Sequence, residues 1–178
     1  MLTITQGESE MKVDTARNYV TLNGDALSAP TGIIVHGCNC QGVMGAGIAA
    51  QVKKRYPGAY QVYRDQYESL ETLSGVNCGL ELGDITGAEV EPNKFIVNAN
   101  TQYHCGVDKR YVDYEAVANC FQKVREISEL IEELRKVKLD VVFPMIGAGL
   151  AGGNWKIIET IILETLGDSI TKKLYLFP

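Results

Sequence analysis

Ile33-Ile-Val-His-Gly-Cys-Asn-Cys-Gln-Gly-Val-Met-Gly-Ala-Gly-Ile-Ala49 is the stretch whose reading decides the fold. Its first part, Gly32 to His36, is a short β-branched run and reads as a central strand. Glycines follow, and Gly45 to Tyr56 reads as a helix that Pro57 breaks. Glycine permits positive φ and lets a ligand approach the backbone closely. A helix that starts after such a loop offers free N–H groups and the positive end of its dipole to phosphate. Phe143-Pro-Met-Ile-Gly-Ala-Gly-Leu-Ala-Gly-Gly-Asn-Trp155 repeats the strand–glycine–helix pattern. Two such junctions could clasp a pyrophosphate from both sides. The plainer alternative is that the glycines only make tight turns. Neither loop is a dinucleotide fingerprint: Gly42-x-x-Gly45-x-Gly47 runs in the wrong order, and no Lys-Ser/Thr pair follows either loop.

Outward from these loops, Leu2 to Thr5 and Tyr19 to Leu22 alternate as half-buried strands do, and Gly24–Asp25 makes a turn. A second helix is expected over Ala59 to Glu68, and Cys78 to Leu82 and Lys94 to Val97 are strand-like. Asp113 to Val137 is the clearest helix, with Val117, Phe121, Val124, Ile127, Ile131 and Leu134 at three- and four-residue steps. Leu139 to Phe143 reads as a buried strand and Pro144 to Gly153 as a loop. Asn154 then caps a helix that ends near Leu166, with Gly167 just beyond. Lys173 to Phe177 is the last strand. Strands interleaved with helices imply an α/β three-layer sandwich around a mixed sheet.

A chain of 178 residues, 46% hydrophobic and 22% charged, suits one soluble domain over 1–178 without a disulfide or metal staple. No apolar run approaches the roughly 18 residues that span a bilayer. Met1 to Glu10 lacks the basic and apolar parts of a signal peptide, so the expected location is the cytoplasm, with no membrane partner. The five cysteines (Cys38, Cys40, Cys78, Cys105 and Cys120) are then expected as thiols. A net charge of −5 argues against a nucleic-acid backbone as partner, yet not against a small anion held by backbone N–H groups. His36, Cys38 and Cys40 alternate, but structural zinc wants further ligands at other spacings, so no metal is expected, and no cofactor. No cysteine has the Cys-x5-Arg spacing of cysteine phosphatases.

The His36-Gly-Cys-Asn-Cys block, Met44-Gly-Ala-Gly-Ile-Ala, Arg55-Tyr-Pro57 and Gly149-Leu-x-Gly-x-x-Trp155 together resemble a macrodomain. The similar branch contains the yeast-type ADP-ribose 1''-phosphate phosphatase and the ADP-ribosyl-glutamate hydrolases. The resemblance covers Leu22 to Phe177 and implies a three-layer α/β/α macrodomain with a mixed central sheet. It implies ADP-ribose or ADP-ribose 1''-phosphate as ligand. Asp25, with Ala26 beside it, matches the residue that accepts from the adenine amino group, against the alternative of a plain turn residue. Asn39 matches the asparagine on the distal ribose. Gly45, Ala46 and Gly47 match the first diphosphate loop, and Gly147, Ala148, Gly149, Leu150, Ala151 and Gly152 the second. Tyr175 or Phe177 packs either on adenine or in the core. Gly83-Asp-Ile-Thr86 with Phe95-Ile-Val-Asn-Ala-Asn100 imitates the same opening, but no glycine-rich helix start follows it. The ligand is therefore assigned to the first copy.

For chemistry, a histidine can exchange a proton near neutral pH. His36 matches a histidine implicated in the phosphatase, and His104 is a second candidate, with Asn39 beside the reacting end. The lysine and aspartate of the glutamate hydrolases fall on Gln102 and Ala151 here, and neither can supply that chemistry. The expectation is a hydrolase, an ADP-ribose 1''-phosphate phosphatase. The alternatives are a reader that binds ADP-ribose without turnover, or an enzyme that removes ADP-ribose from a macromolecule.

Overall fold

The computed structural model describes residues 2–6, 9–74 and 80–177, and side chains over 11–70 and 80–177. Eight strands form one sheet: β1 (Leu2–Gln6), β2 (Ser9–Asp14), β3 (Tyr19–Asn23), β4 (Gly32–Asn39), β5 (Ile85–Glu91), β6 (Lys94–Gln102), β7 (Val141–Phe143) and β8 (Lys172–Leu176). Their spatial order is β1-β2-β3-β8-β7-β4-β6-β5. The middle five, β3 to β6 in that order, run parallel, and the outer pairings are antiparallel. Helices α1 (Gly47–Arg55) and α2 (Pro57–Ser74) cover one face, and α3 (Tyr114–Arg135) and α4 (Trp155–Leu166) the other. This is the expected α/β/α sandwich with a mixed sheet.

Strand alternation builds two cores. Ile33 and Val35 of β4 join Val97, Phe121, Phe143, Ile158 and Ile162 under α3 and α4. Ile34 and Cys38 point the other way, onto Val52 and Tyr63 of α1 and α2. The helix ends are set locally. Asp113 and Asn154 cap α3 and α4 by accepting from Ala116 N and Lys156 N. Such caps stabilise by about 1 kcal/mol each. Pro57 does more than end α1: it opens α2, where its missing N–H would have had no helical partner.

The structure departs from the sequence expectations in three places. The polar segment Ser9–Asp14 is a strand, as is Ile85–Glu91. The strand expected over Cys78–Leu82 is absent from Leu80 to Leu82, where the chain turns before β5, and Cys78 and Gly79 lie outside the described residues. Strands β4 and β6 each run to the loop beyond, ending at Asn39 and Gln102. The second Gly-Asp copy joins strand ends: Gly83 N donates to Asn100 O, Asn100 N donates to Asp84 O, and the Asp84 carboxylate pairs with Lys123.

The site's position follows from the connections. The chain leaving β4 enters α1 on one face, whereas the chains leaving its neighbours β6 and β7 enter α3 and α4 on the other. Connections that diverge in this way open a crevice at the carboxyl ends of the strands.

Candidate functional site

A cavity of about 500 Å³ occupies that crevice. The end of β4 (Gly37, Cys38, Asn39) and Gln102 of β6 form its base. The start of α1 (Gly45 to Ala49) and the loop after β7 (Pro144 to Ile146, Gly147, Gly149 to Ala151) face each other across it. Val43 and the Cys105–Val107 segment complete the lining. Among the described residues no lining side chain is charged.

Polarity comes instead from the backbone. Ala46, the N-cap of α1, is extended and gives the helix no side-chain cap. The first N–H groups of α1 therefore lack an intrahelical or capping acceptor and lie at the cavity wall. Gly47 has φ +57°, and a Cβ there would lie 3.9 Å from Leu150 Cδ1, so the two loops approach closely. Helix α4 does not contribute a second open N-terminus: Asn154 caps it, and the cavity is lined by 147–151, ahead of the helix. Buttressing fixes that loop. Tyr111 N and Val112 N both donate to Ala151 O, and Gly147, at φ +70°, lies so close to Val112 that a Cβ would meet its Cγ2 at 2.6 Å.

The structure brings together eight of the residues expected from sequence: Asn39, Gly45, Ala46, Gly47, Gly147, Gly149, Leu150 and Ala151. The others lie elsewhere. Ala148 and Gly152 belong to the second loop without lining the cavity. Ala26 is buried in the core beneath α1 and α2. Asp25 caps the short 3-10 turn Ala26–Ser28, accepting from Leu27 N at 2.9 Å and Ser28 Oγ at 3.0 Å, and pairs with Arg55. Burial raises its pKa, but the Arg55 bond and the two turn bonds outweigh this and hold it below the usual carboxylate range. Tyr175 packs against that core and beside Gly24, and Phe177 is exposed.

His36, expected from sequence as a catalytic residue, lies apart from the cavity. Its ring is wholly buried on the α1–α2 side of the sheet and does not line the cavity. Asn98 Nδ2 donates to Ala59 O and Thr86 Oγ1, so its Oδ1 accepts the His36 Nε2–H at 2.8 Å. Burial depresses the imidazole pKa to about 4, against the Asn98 and Gly37 bonds. The imidazole is therefore neutral at pH 7. His104 is exposed on the loop after β6, edge-on to Tyr103, and is also outside the lining. Asn39 lines the cavity, but its amide organises the chain: Oδ1 accepts from Gln41 N and Val43 N, Nδ2 donates to Val43 O at 2.7 Å, and the Tyr63 hydroxyl donates chiefly to the Asn39 backbone O at 2.7 Å, with Oδ1 at 3.1 Å. Burial pushes the Cys38 thiol well up, so it is no nucleophile at neutral pH. Sequence reasoning missed Gln102, Cys105 and Val107 as lining residues, because the strand end and loop that carry them have no glycine signature. Among the described residues no His, Cys, Asp and Glu side chains cluster as a metal site, and no helix is long and apolar enough to cross a membrane.

The macro domain profile matches residues 35–162, which include both loops and the strands between them. This chain is a member of the macro domain family. It is 32% identical over 164 residues to an uncharacterized 17.5 kDa protein of Enterobacteria phage T4, covering 86% of this chain and 90% of that one. It is 30% identical over 140 residues to a DNA ADP-ribosyl glycohydrolase of Mycobacterium tuberculosis, covering 77% of this chain but 35% of that longer protein. An ADP-ribose 1''-phosphate phosphatase of Scheffersomyces stipitis is 28% identical over 143 residues, 73% of this chain and 81% of that one. Among solved structures, a Bacteroides thetaiotaomicron protein of unknown function superposes with a TM-score of 0.72 at 28% identity, covering 89% and 97% of the two chains.

Proposed function

We propose that this macrodomain binds ADP-ribose and removes a substituent from its distal ribose, with the phosphate of ADP-ribose 1''-phosphate as the first substrate to test. The supporting observation is an anion site built from backbone: the uncapped start of α1 and the glycine loop at 147–151 face one cavity in which no described side chain is charged. Such donors hold a diphosphate without the desolvation cost of a buried cation. They are also fixed before the ligand arrives, which is what transition-state charge stabilisation requires.

The described lining has no carboxylate or imidazole. In this reading water attacks phosphorus, the bond from phosphorus to the ribose oxygen breaks, and the substrate's own phosphate oxygens carry the proton. Phosphate release from ADP-ribose 1''-phosphate tests it. Binding without release in a folded protein would leave a reader of ADP-ribose.

A second reading has its own support. Val43, Met145, Leu150 and Val107 line the cavity and are exposed, so the rim is apolar. An apolar rim suits a flat, neutral group attached to the distal ribose, and the mycobacterial relative is named for removing ADP-ribose from DNA. Incubation with an ADP-ribosylated oligonucleotide, followed by mass spectrometry, separates this activity from phosphate release.

A further inference from the structure

The sheet ends in two edge strands, β1 and β5, and they are built differently. An edge presents a row of unpaired N–H and C=O groups, which invites another strand unless charge, proline or a bulge discourages it. β5 carries such guards. Its register slips between Glu89 and Glu91, Glu89 pairs with Arg135, and Glu91 pairs with Lys94. β1, Leu2-Thr-Ile-Thr-Gln6, has none of them. It is uncharged, contains no proline, keeps an unbroken antiparallel register with β2, and has no described strand on its outer side.

Register and sequence together say what fits that edge. Opposed residues of an antiparallel ladder share a face. Leu2 is in register with Val13 and Val20, and Ile4 with Met11, so one face of β1 continues an apolar row. Thr3 is in register with Lys12 and Thr21, and Thr5 with Glu10, on the polar face. The centre of the strand, Thr3-Ile-Thr5, reads the same in both directions. Two copies set antiparallel about a twofold axis through Ile4, perpendicular to the sheet, therefore place Ile opposite Ile and Thr3 opposite Thr5, with each face beside its like. Pairs of this kind stabilise a sheet. Self-complementarity about a twofold axis is what a closed dimer requires. Pairing of β1 with β5 of another copy would instead be head to tail, and would meet the guarded edge.

We propose that β1 is an interface between two copies of this chain, paired antiparallel about Ile4 so that their sheets become continuous. One short strand pair is a small contact, in the class below about 1,200 Å² that forms transient complexes. The dimer therefore forms and dissociates with concentration. In the sheet β1 stands five strand spacings from β4, about 24 Å, so the contact leaves the cavity uncovered whatever the cavity binds.

The test is sedimentation equilibrium over a rising concentration series, with any affinity tag placed away from β1. About 0.15 M salt screens the net charge of −5 on each chain. The wild-type mass should climb from 19.5 kDa toward twice that value and level off there. Thr3→Lys/Thr5→Lys sets lysine opposite lysine across the axis and should hold the mass at one chain. Thr3→Glu/Thr5→Glu repeats the like-charge test with the other sign. Thr3→Glu/Thr5→Lys sets glutamate opposite lysine across the axis, and also beside Lys12 and Glu10 of its own β2, so the rise in mass should return. Thermal melts identify the variants that fold as wild type does, and the comparison is read on those. A wild-type mass that stays at one chain would overturn the proposal. So would a folded like-charge variant that associates as wild type does, or a folded opposite-charge variant that does not associate. A mass that grows past two chains without levelling off would overturn the twofold pairing.

Discussion

Gly149→Glu should abolish ADP-ribose binding without unfolding the protein. Gly149 is exposed, has no positive φ, and a Cβ built on it meets nothing within 4 Å. A side chain there costs the fold little, yet it extends from a residue that lines the cavity. A carboxylate about 5 Å from a phosphate charge, at an effective dielectric constant of about 20, is repelled by about 3 kcal/mol. That is a loss of about two orders of magnitude in affinity from one charge pair, and a diphosphate carries two charges. Gly149→Ala adds only the methyl group and should bind nearly as wild type. Calorimetric titration measures the affinities, and a thermal melt of each variant shows whether the fold is intact. A folded Gly149→Glu protein that binds ADP-ribose normally would refute the placement of the diphosphate at this loop.

The companion position behaves in the opposite way: Gly147→Ala meets Val112 at 2.6 Å with φ +70°, so it should lower stability by about 1–3 kcal/mol, read in denaturant melts. Asn39→Ala releases the 40–43 turn and should cost about 1–3 kcal/mol and weaken binding; Asn39→Asp, which keeps the acceptor for Gln41 N and Val43 N, should recover part of both. His36 carries a pH signature. Its pKa is about 4 folded against 6.5 for the free group, so between these values the unfolded state binds more protons. The stability contribution is complete above about pH 6.5 and is lost as pH falls toward 4, on the order of 3 kcal/mol in all. His36→Gln should flatten the melting temperature over that window, and the same slope in both proteins would contradict it.

The parts of the fold that were legible in the sequence are those with strong local chemistry. The apolar stripe from Val117 to Ile131 and the caps Asp113 and Asn154 specify α3 and α4 without help from the rest of the chain. The β-branched run Ile33–Val35 marks a strand covered on both faces. Strands β2 and β5 were hidden because they lie toward the outside of the sheet, where long apolar runs are not needed; β5 also contains Gly87, which sits against Ile96 O and breaks the pattern. The glycine loops pointed to the cavity because two of the glycines that line it, Gly47 and Gly147, take a positive φ that favours glycine. The burial of His36 was not legible because alternation gives a side chain's face, not its depth: its ring lies wholly buried and apart from the cavity lining. Gln102 was invisible as a lining residue because a one-residue bulge, which no local pattern announces, carries it there.

The central claim is that this cavity is built for the whole of ADP-ribose, diphosphate and distal ribose together. Isothermal titration of the wild-type protein with ADP-ribose and with AMP tests it most directly. The account predicts micromolar binding of ADP-ribose, about −8 kcal/mol, and far weaker binding of AMP, which lacks the second phosphate and the distal ribose. Equal affinity for the two, or no binding of ADP-ribose, would contradict it.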